Sequence, residues 1–410
     1  MSFFSISHSD DRYGVLIDIG SGSVLAAIVH SNNKNKHPNI IWAHREHAPL
    51  RNIDSLEQSA KAVMTALINA TMLLDVEGRK ALFDYNKTAV LTDLQCAISA
   101  PWSYTVTKTI NYTQEEPFEV SEGLVRELLT TINEKIDSEL KQNETLQDLG
   151  LTVITRSTLE ILSNGYRVTE PEDQEARQVT ISRANAVTQK YLVDALSEVH
   201  DKLFPATRER KVSFILLFYA VSKAILAKSY DLCLIDITYE ATEIGIVRDG
   251  ILTYSTHTPY GSFSLAREIA AVTNVPLHEA FGYLHTDKPY SFMVSLSKQQ
   301  RDEIEKVFDA YTEKVSLLFK ETGDDLSIPK QMFLHSDLKS ETLFVDLIEK
   351  ATKRAVKIEP YITPVSSEII KQSYQPEENG DKPTLPTDTA LLLSAQFFHT
   401  QPSREHFEYL

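Results

Sequence analysis

One unit of this chain occurs twice. Val15-Leu-Ile-Asp18 reads as an apolar strand ending in a carboxylate, Gly20-Ser21-Gly22-Ser23 as a turn, and the residues up to Val29 as a second apolar strand. The same order returns in the second half: Leu232-Cys-Leu-Ile-Asp236, the polar stretch Thr238–Thr242, and a strand running to Val247. Each copy reads as an apolar strand ending in Asp, a short polar turn and a second apolar strand. The chain is therefore expected to fold as two related lobes, each offering an Asp at a strand end. The two turns differ. The first has the small residues and free N–H groups that cradle a phosphate, although a Gly-Ser turn with Asp18 bonded to local backbone reads equally well. The second has Tyr239 and Glu240 in that place, where bulk and negative charge oppose a phosphate.

With 410 residues, the chain exceeds the ~250–300 at which a single core stops growing, so more than one domain is expected. Its net charge of −16 argues against a nucleic-acid backbone as partner and against a broad basic membrane face. No apolar run approaches the ~20 residues of a spanning helix, and Met1–His8 lacks a basic segment followed by a long apolar one, so a cytoplasmic location is expected. Cys96 and Cys233 lie in apolar runs and read as buried, inert thiols. Only 13 residues are glycine, against a usual ~7% of a chain, which disfavours several phosphate loops.

The patterning predicts a hairpin over 13–29, a third strand at 40–44, a helix over 56–74 opened by a capping box at Asp54–Glu57, and a strand region over 89–101. A different pattern follows: a strand at 106–112, a helix at 121–140, strands at 151–155 and 158–168 with an Asn164-Gly165 turn, a strand at 178–183 and a helix at 185–204. Phe214–Val221 reads as a buried strand running into a helix at 219–228. Strands at 230–237, 243–248 and 251–256 then surround an Asp249-Gly250 turn. Helices at 262–273 and 297–320, a strand at 331–335, a helix at 342–351, a short strand at 356–358, a polar loop at 374–386 and a closing helix at 390–399 complete the order. The second half thus repeats the first.

The ordered set of motifs resembles the actin-like ATPase superfamily, in its FtsA/PilM branch of division and type IV pilus-assembly proteins. The resemblance is carried by Asp18-Ile-Gly-Ser-Gly-Ser23, Ser99-Ala-Pro101, Asn164-Gly-Tyr-Arg-Val-Thr-Glu-Pro171 with Gln178-Val-Thr-Ile181, Ala220-Val-Ser-Lys-Ala-Ile-Leu226, Leu234-Ile-Asp-Ile-Thr238, Arg248-Asp-Gly-Ile251 and Thr258-Pro-Tyr-Gly261. It implies an α/β fold of duplicated RNase-H-like lobes with an inserted α+β, SHS2-like subdomain. The implied boundaries are 1–102 and 206–228 for subdomain 1A, 103–205 for the insert 1C, 229–261 and 328–400 for 2A, 262–327 for 2B, and 401–410 for a tail.

It further implies a nucleotide site at Asp18, Gly20, Ser21, Gly22, Ser23, Asp236, Thr238, Thr242, Gly261 and Ser336. ATP and Mg²⁺ are the implied cofactors, with Asp18 and Asp236 as the carboxylates for the metal. The chain departs from the family at Asp236-Ile-Thr-Tyr-Glu-Ala-Thr242 and at His335-Ser-Asp-Leu-Lys-Ser-Glu341, which lack the glycines expected around phosphate and adenosine. ATP binding is weakened and hydrolysis, which depends on clamping both sides of the phosphate, more so. The implied role is a cytoplasmic adaptor of an inner-membrane pilus or secretion complex. It would hold the short cytoplasmic tail of a bitopic partner in a groove near Ser99, Pro101, Trp102, Tyr104, Val179 and Ile181, and would reach the membrane only through that partner. Self-association is compatible with this reading. The end Gln401–Leu410 shows no basic amphipathic anchor. A cell-division protein and a sugar or acid kinase of the same superfamily are the alternatives.

Other polar features read plainly. His44 and His47 are expected as solvated loop residues rather than ligands. The acid-rich runs 170–175 and 321–325 are expected as solvated loops. In the 297–320 helix, Ile304, Val307, Phe308, Tyr311, Val315 and Leu318 form a core-facing stripe.

Overall fold

The computed structural model describes residues 11–49, 56–142, 150–171, 174–226, 230–286, 288–322, 328–337, 341–357, 359–366, 369, 388–401 and 410. The terminus 1–8, the 374–386 loop and most of the 401–410 tail lie outside the described residues, as do parts of both acid-rich runs.

The first lobe is built on β1 (Asp11–Ile19), β2 (Ser23–Asn32), β3 (Asn39–His47), β4 (Leu91–Ile98) and β9 (Arg208–Ser213), in the order β3-β2-β1-β4-β9. β1 and β2 pair antiparallel, while β4 and β9 join in parallel. Side chains alternate along a strand, so the two faces of β1 bury different cores. Val15, Ile17 and Ile19 face helix α1 (Leu56–Leu73), which continues through a π-helical turn into α2 (Arg79–Tyr85). Leu16 faces the closing helix. Asp18 shares the parity of Leu16 and so points to the closing-helix side.

The second lobe repeats this plan. β10 (Leu232–Ile237), β11 (Thr242–Arg248), β12 (Ile251–Thr258), β13 (Gln331–Ser336) and β14 (Tyr361–Pro364) run in the order β12-β11-β10-β13-β14. Cys233, Ile235 and Ile237 bury against α6 (Ser262–Thr273), α7 (Leu277–Tyr283), α8 (Lys298–Glu321) and α9 (Thr342–Val356). Leu232 and Leu234 face the other way. Asp236 shares their parity, so both strand-end carboxylates turn towards the space between the lobes.

Between β4 and β9 lies an insert with its own sheet, β5-β8-β6-β7, formed by β5 (Ser103–Val120), β6 (Leu151–Ser163), β7 (Tyr166–Arg167) and β8 (Gln174–Gln189). Helix α3 (Glu122–Gln142) covers one face through Val125, Leu128, Leu129, Ile132 and Ile136. The chain returns through α4 (Lys190–Leu203). Two helices sit between the lobes: α5 (Phe214–Val221) and α10 (Thr389–Thr400). The implied boundaries put 328–400 with the second lobe. α10 packs across β1 and β2 through Leu391, Ala395 and Phe398, and shares a core with Leu234 and Phe333 of the second lobe through Leu392, Leu393 and Phe397.

Several sequence expectations are corrected. The segment 185–204 does not start as a helix: β8 runs to Gln189, because Asn185–Thr188 pairs with both β5 and β6. Phe214 opens a helix rather than a strand. α5 is buried all round, and periodicity does not separate a buried helix turn from a buried strand. Residues 151–163 form one strand with two register shifts, not two strands. Val356 ends α9, with Lys357 in the left-handed region (φ 53°), and the short strand follows at β14. The span Glu57–Tyr85 is long and apolar enough to pass for a membrane-crossing helix, contrary to the sequence reading, with 44% of its most apolar window buried. Its Val63, Ala66, Leu67, Ala70 and Leu74 are core residues of the first lobe.

Candidate functional site

The two Asp-bearing turns meet. In the first, Gly20 N–H donates to the Ser23 carbonyl (3.0 Å), and the Gly20 carbonyl accepts from Trp102 Nε1 (3.1 Å). In the second, Thr238 N–H donates to the Ala241 carbonyl (2.9 Å). The N-terminus of α6 closes on this turn: Ser262 N–H donates to the Thr238 carbonyl (3.0 Å) and Phe263 N–H to the Tyr239 carbonyl (2.8 Å). Those N–H groups are the ones a helix N-terminus would otherwise offer to an anion. Gly261 is needed for the closure, since a Cβ there would lie 2.3 Å from the Thr238 oxygen.

Across the cleft, Tyr239 lies directly on Gly22. A Cβ on Gly22 would fall 1.8 Å from the tyrosine ring. The ring is 5% exposed and packs with Phe263 and Phe281. Its hydroxyl is hydrogen-bonded to His47 Nδ1 (3.2 Å), so His47, exposed at the end of β3 as expected, is also a cross-lobe partner. Glu240 N–H donates to Ser21 Oγ (2.8 Å), and Thr238 Oγ1 donates to the Ala100 carbonyl (3.1 Å). The Glu240 carboxylate is turned away, held by Arg267 at 3.1 and 2.6 Å.

Charge is concentrated beneath this contact. Arg45 from β3 donates to both oxygens of Asp388 (2.6 and 2.9 Å) and to Ser23 Oγ (2.8 Å), and lies 3.6 Å from Asp18. His335, opposite Asp236 in the β10–β13 register, bonds to it at 2.7 Å. Burial opposes ionisation of Asp18 and pushes its carboxyl up to about 7, with Arg45 offsetting part of the effect. Burial likewise lifts Asp337 to about 6. For His335 burial works downwards, but the bond to Asp236 and the charges of Asp236, Asp337 and Glu341 together outweigh it and raise the imidazole to about 9. Burial also disfavours the Asp388 carboxylate, yet Arg45 holds it below the usual range. At neutral pH, Arg45 and His335 are thus the resident cations among four carboxylates.

Among the described residues, Asp18 Oδ1, Asp236 Oδ2 and Asp337 Oδ2 are buried without a hydrogen-bond partner, which suits a cation nearby. The phosphate chain does not fit in this geometry. The space above Gly22 is filled by Tyr239, the α6 amides are taken, and Arg45 stands beside Asp18.

The remaining expected residues divide. Asp18, Gly20, Ser21, Gly22, Ser23, Asp236, Thr238, Gly261 and Ser336 are buried around the meeting point of the turns. Thr242 is not part of it: its hydroxyl binds the Tyr260 carbonyl and Tyr311 Oη (both 2.9 Å) inside the second lobe. The expected groove residues are mostly buried within this chain. Val179 and Ile181 lie beneath α3, Trp102 is in the core of the first lobe, and Ser99 and Pro101 are buried; only Tyr104 has partial solvent access. Arg45, His335, Asp337 and Asp388 were missed. Each is far in sequence from both turns, and only the pairing of β3 with β2, of β13 with β10, and the docking of α10 bring them in.

No family model and no curated protein matches this sequence. Solved structures do. A chain of the PilM-PilN type IV pilus biogenesis complex superposes with a TM-score of 0.54 at 12% identity, covering 95% of this chain and 99% of that one. The fold is that of the actin-like ATPases. Weaker likenesses of the same kind are the ethanolamine utilization protein EutJ of Carboxydothermus hydrogenoformans (TM-score 0.44, 11% identity, 95% and 90% covered) and the cytoplasmic domain of EpsL of Vibrio cholerae (TM-score 0.35, 7% identity, 96% of each chain).

Proposed function

We propose that this actin-like chain is a non-hydrolysing adaptor at the cytoplasmic face of an inner-membrane pilus or secretion assembly complex, holding the short tail of a bitopic partner. The observation that carries the reading is the Tyr239 ring seated on Gly22, which replaces phosphate with protein where the fold would bind a nucleotide. The end-to-end likeness to a chain taken from a complex with PilN supports the role of scaffold for a partner. On this reading the insert spans 103–205, and the partner tail lies along its edge strand β5. There Val106 is 40% exposed beside exposed Tyr191, and Tyr104 is half-buried against His257 of the second lobe. An extended tail is captured at a strand edge by main-chain bonds, with side-chain pockets giving selectivity. The kinase alternative needs an open cleft with free phosphate contacts and is disfavoured by the same tyrosine.

Calorimetry with Mg·ATP tests the cleft. We expect no heat at millimolar nucleotide; micromolar binding abolished by Asp18→Ala would overturn the reading. Binding of peptides copied from the N-terminal tails of single-span membrane proteins tests the adaptor role. At least one is expected to bind, and Tyr104→Ala to weaken it by about tenfold, the size of one lost aromatic contact. If none binds, the adaptor role falls.

A further inference from the structure

We infer that the chain supplies the closing ligand of its own cleft: the Tyr239 ring stands in for terminal phosphates, and the Arg45 guanidinium stands in for the divalent cation beside Asp18. In a ligand-closed cleft, the closed population depends on ligand concentration and on differential affinity for the closed state. Here the closing groups are covalently part of the chain, so closure is constitutive.

The parts correspond one to one. A phosphate cradle offers backbone N–H groups, a space that only glycine leaves open, and hydroxyls. In this cleft the glycine's space holds the ring of Tyr239, Ser21 Oγ accepts from Glu240 N–H (2.8 Å), and Ser23 Oγ accepts from Arg45 (2.8 Å). A metal ion would neutralise carboxylates from both lobes. Arg45 lies 3.6 Å from Asp18 and is bidentate to Asp388, and its charge also acts on Asp337 of the second lobe. A Cβ on Gly20 would stand 3.4 Å from Asp337 Oδ2, so Asp337 sits against the first turn itself.

Closure also braces the insert against the second lobe. Thr107 Oγ1 donates to the Leu252 carbonyl (2.7 Å), Arg167 Nη2 donates to the Asp249 carbonyl (3.1 Å), and Tyr104 packs on His257 with ring centres 4.8 Å apart. β12 and the β11–β12 turn belong to the lobe that Tyr239 fastens. The plug therefore holds the insert, and with it β5, in a fixed position. This inference concerns the cleft and stands whether or not a tail peptide is the partner.

Hydrogen–deuterium exchange of the full chain, with and without Tyr239→Ala, tests it. The wild type should protect residues 20–24 and 238–242 equally with and without millimolar Mg·ADP. Tyr239→Ala should raise exchange at both turns by about a hundredfold and raise it across 104–110 as well, as expected for local opening of one cooperative unit. Tyr239→Phe, which keeps the ring, should behave as the wild type. If Tyr239→Ala does not fold, Gly22→Ala displaces the ring from the other side and should give the same opening. Wild-type protection that appears only on adding Mg·ADP would overturn the inference together with the nucleotide-free function. Unchanged protection of the turns in an opening variant would overturn the inference alone.

Discussion

Arg45 is the residue on which the cleft's charge balance turns. Its bidentate bond to Asp388 and its approach to Asp18 leave those carboxylates without a comparable cation once it is removed. Breaking a half-buried pair from one side leaves an uncompensated charge and costs about 1–3 kcal/mol. Arg45→Met should lose that much in urea unfolding, and Arg45→Lys less, because lysine keeps the charge but not the fork. The same cluster sets a pH dependence. His335 (about 9) and Asp18 (about 7) both titrate above their unfolded values of about 6.5 and 3.9. The folded chain therefore holds protons that the unfolded chain releases, so this stability is complete at low pH and is lost as pH rises through the folded values. The Asp18 share is lost between about pH 4 and 7, and the His335 share between about 6.5 and 9. Asp388, held low, acts in the opposite sense and only in acid. Unfolding free energy should fall by about 3 kcal/mol between pH 6.5 and 9.5. His335→Gln should be less stable at pH 6.5 and should lose the His335 part of that fall.

At the scale of elements, the β1–β2 turn, the β10–β11 turn and the N-terminus of α6 form one closely packed unit. Gly22→Ala would drive a methyl into the Tyr239 ring and should destabilise by about 2–3 kcal/mol, as overpacking does. On a Tyr239→Ala background the same change should be nearly neutral, so a double-mutant cycle should show a coupling of about 2–3 kcal/mol. Gly261→Ala meets backbone rather than a side chain and has no such rescue. These elements also show what is legible locally. Both hairpins, α6 and α8 were readable because strand alternation, helical periodicity and turn residues are short-range signals. The start of α5 and the length of β8 were not, because their neighbours bury them on every side and erase the periodicity.

For the whole molecule, the duplicated sheets place one free cysteine in each lobe, Cys96 on β4 and Cys233 on β10. Both are buried, and burial pushes both thiols up. Neither should react with a thiol reagent in the native state. If the lobes are fastened as one unit, the two should become reactive at the same urea concentration. Labelling of one well before the other would show that the lobes open separately.

What the sequence determined by itself is the pair of Asp-ended hairpins, hence the two lobes, the insert within the first of them and the loss of glycines from the second turn. These follow from short-range patterns that survive in any context. The tertiary structure alone decided what those turns face. Tyr239 reads in sequence as a bulky residue in a poor phosphate loop, and becomes a plug only when Gly22 arrives opposite it. Arg45, His335 and Asp388 carry no local signature at all. Their role comes from strand register and helix docking, and from low-dielectric burial, which gives a charge its meaning through neighbours hundreds of residues away.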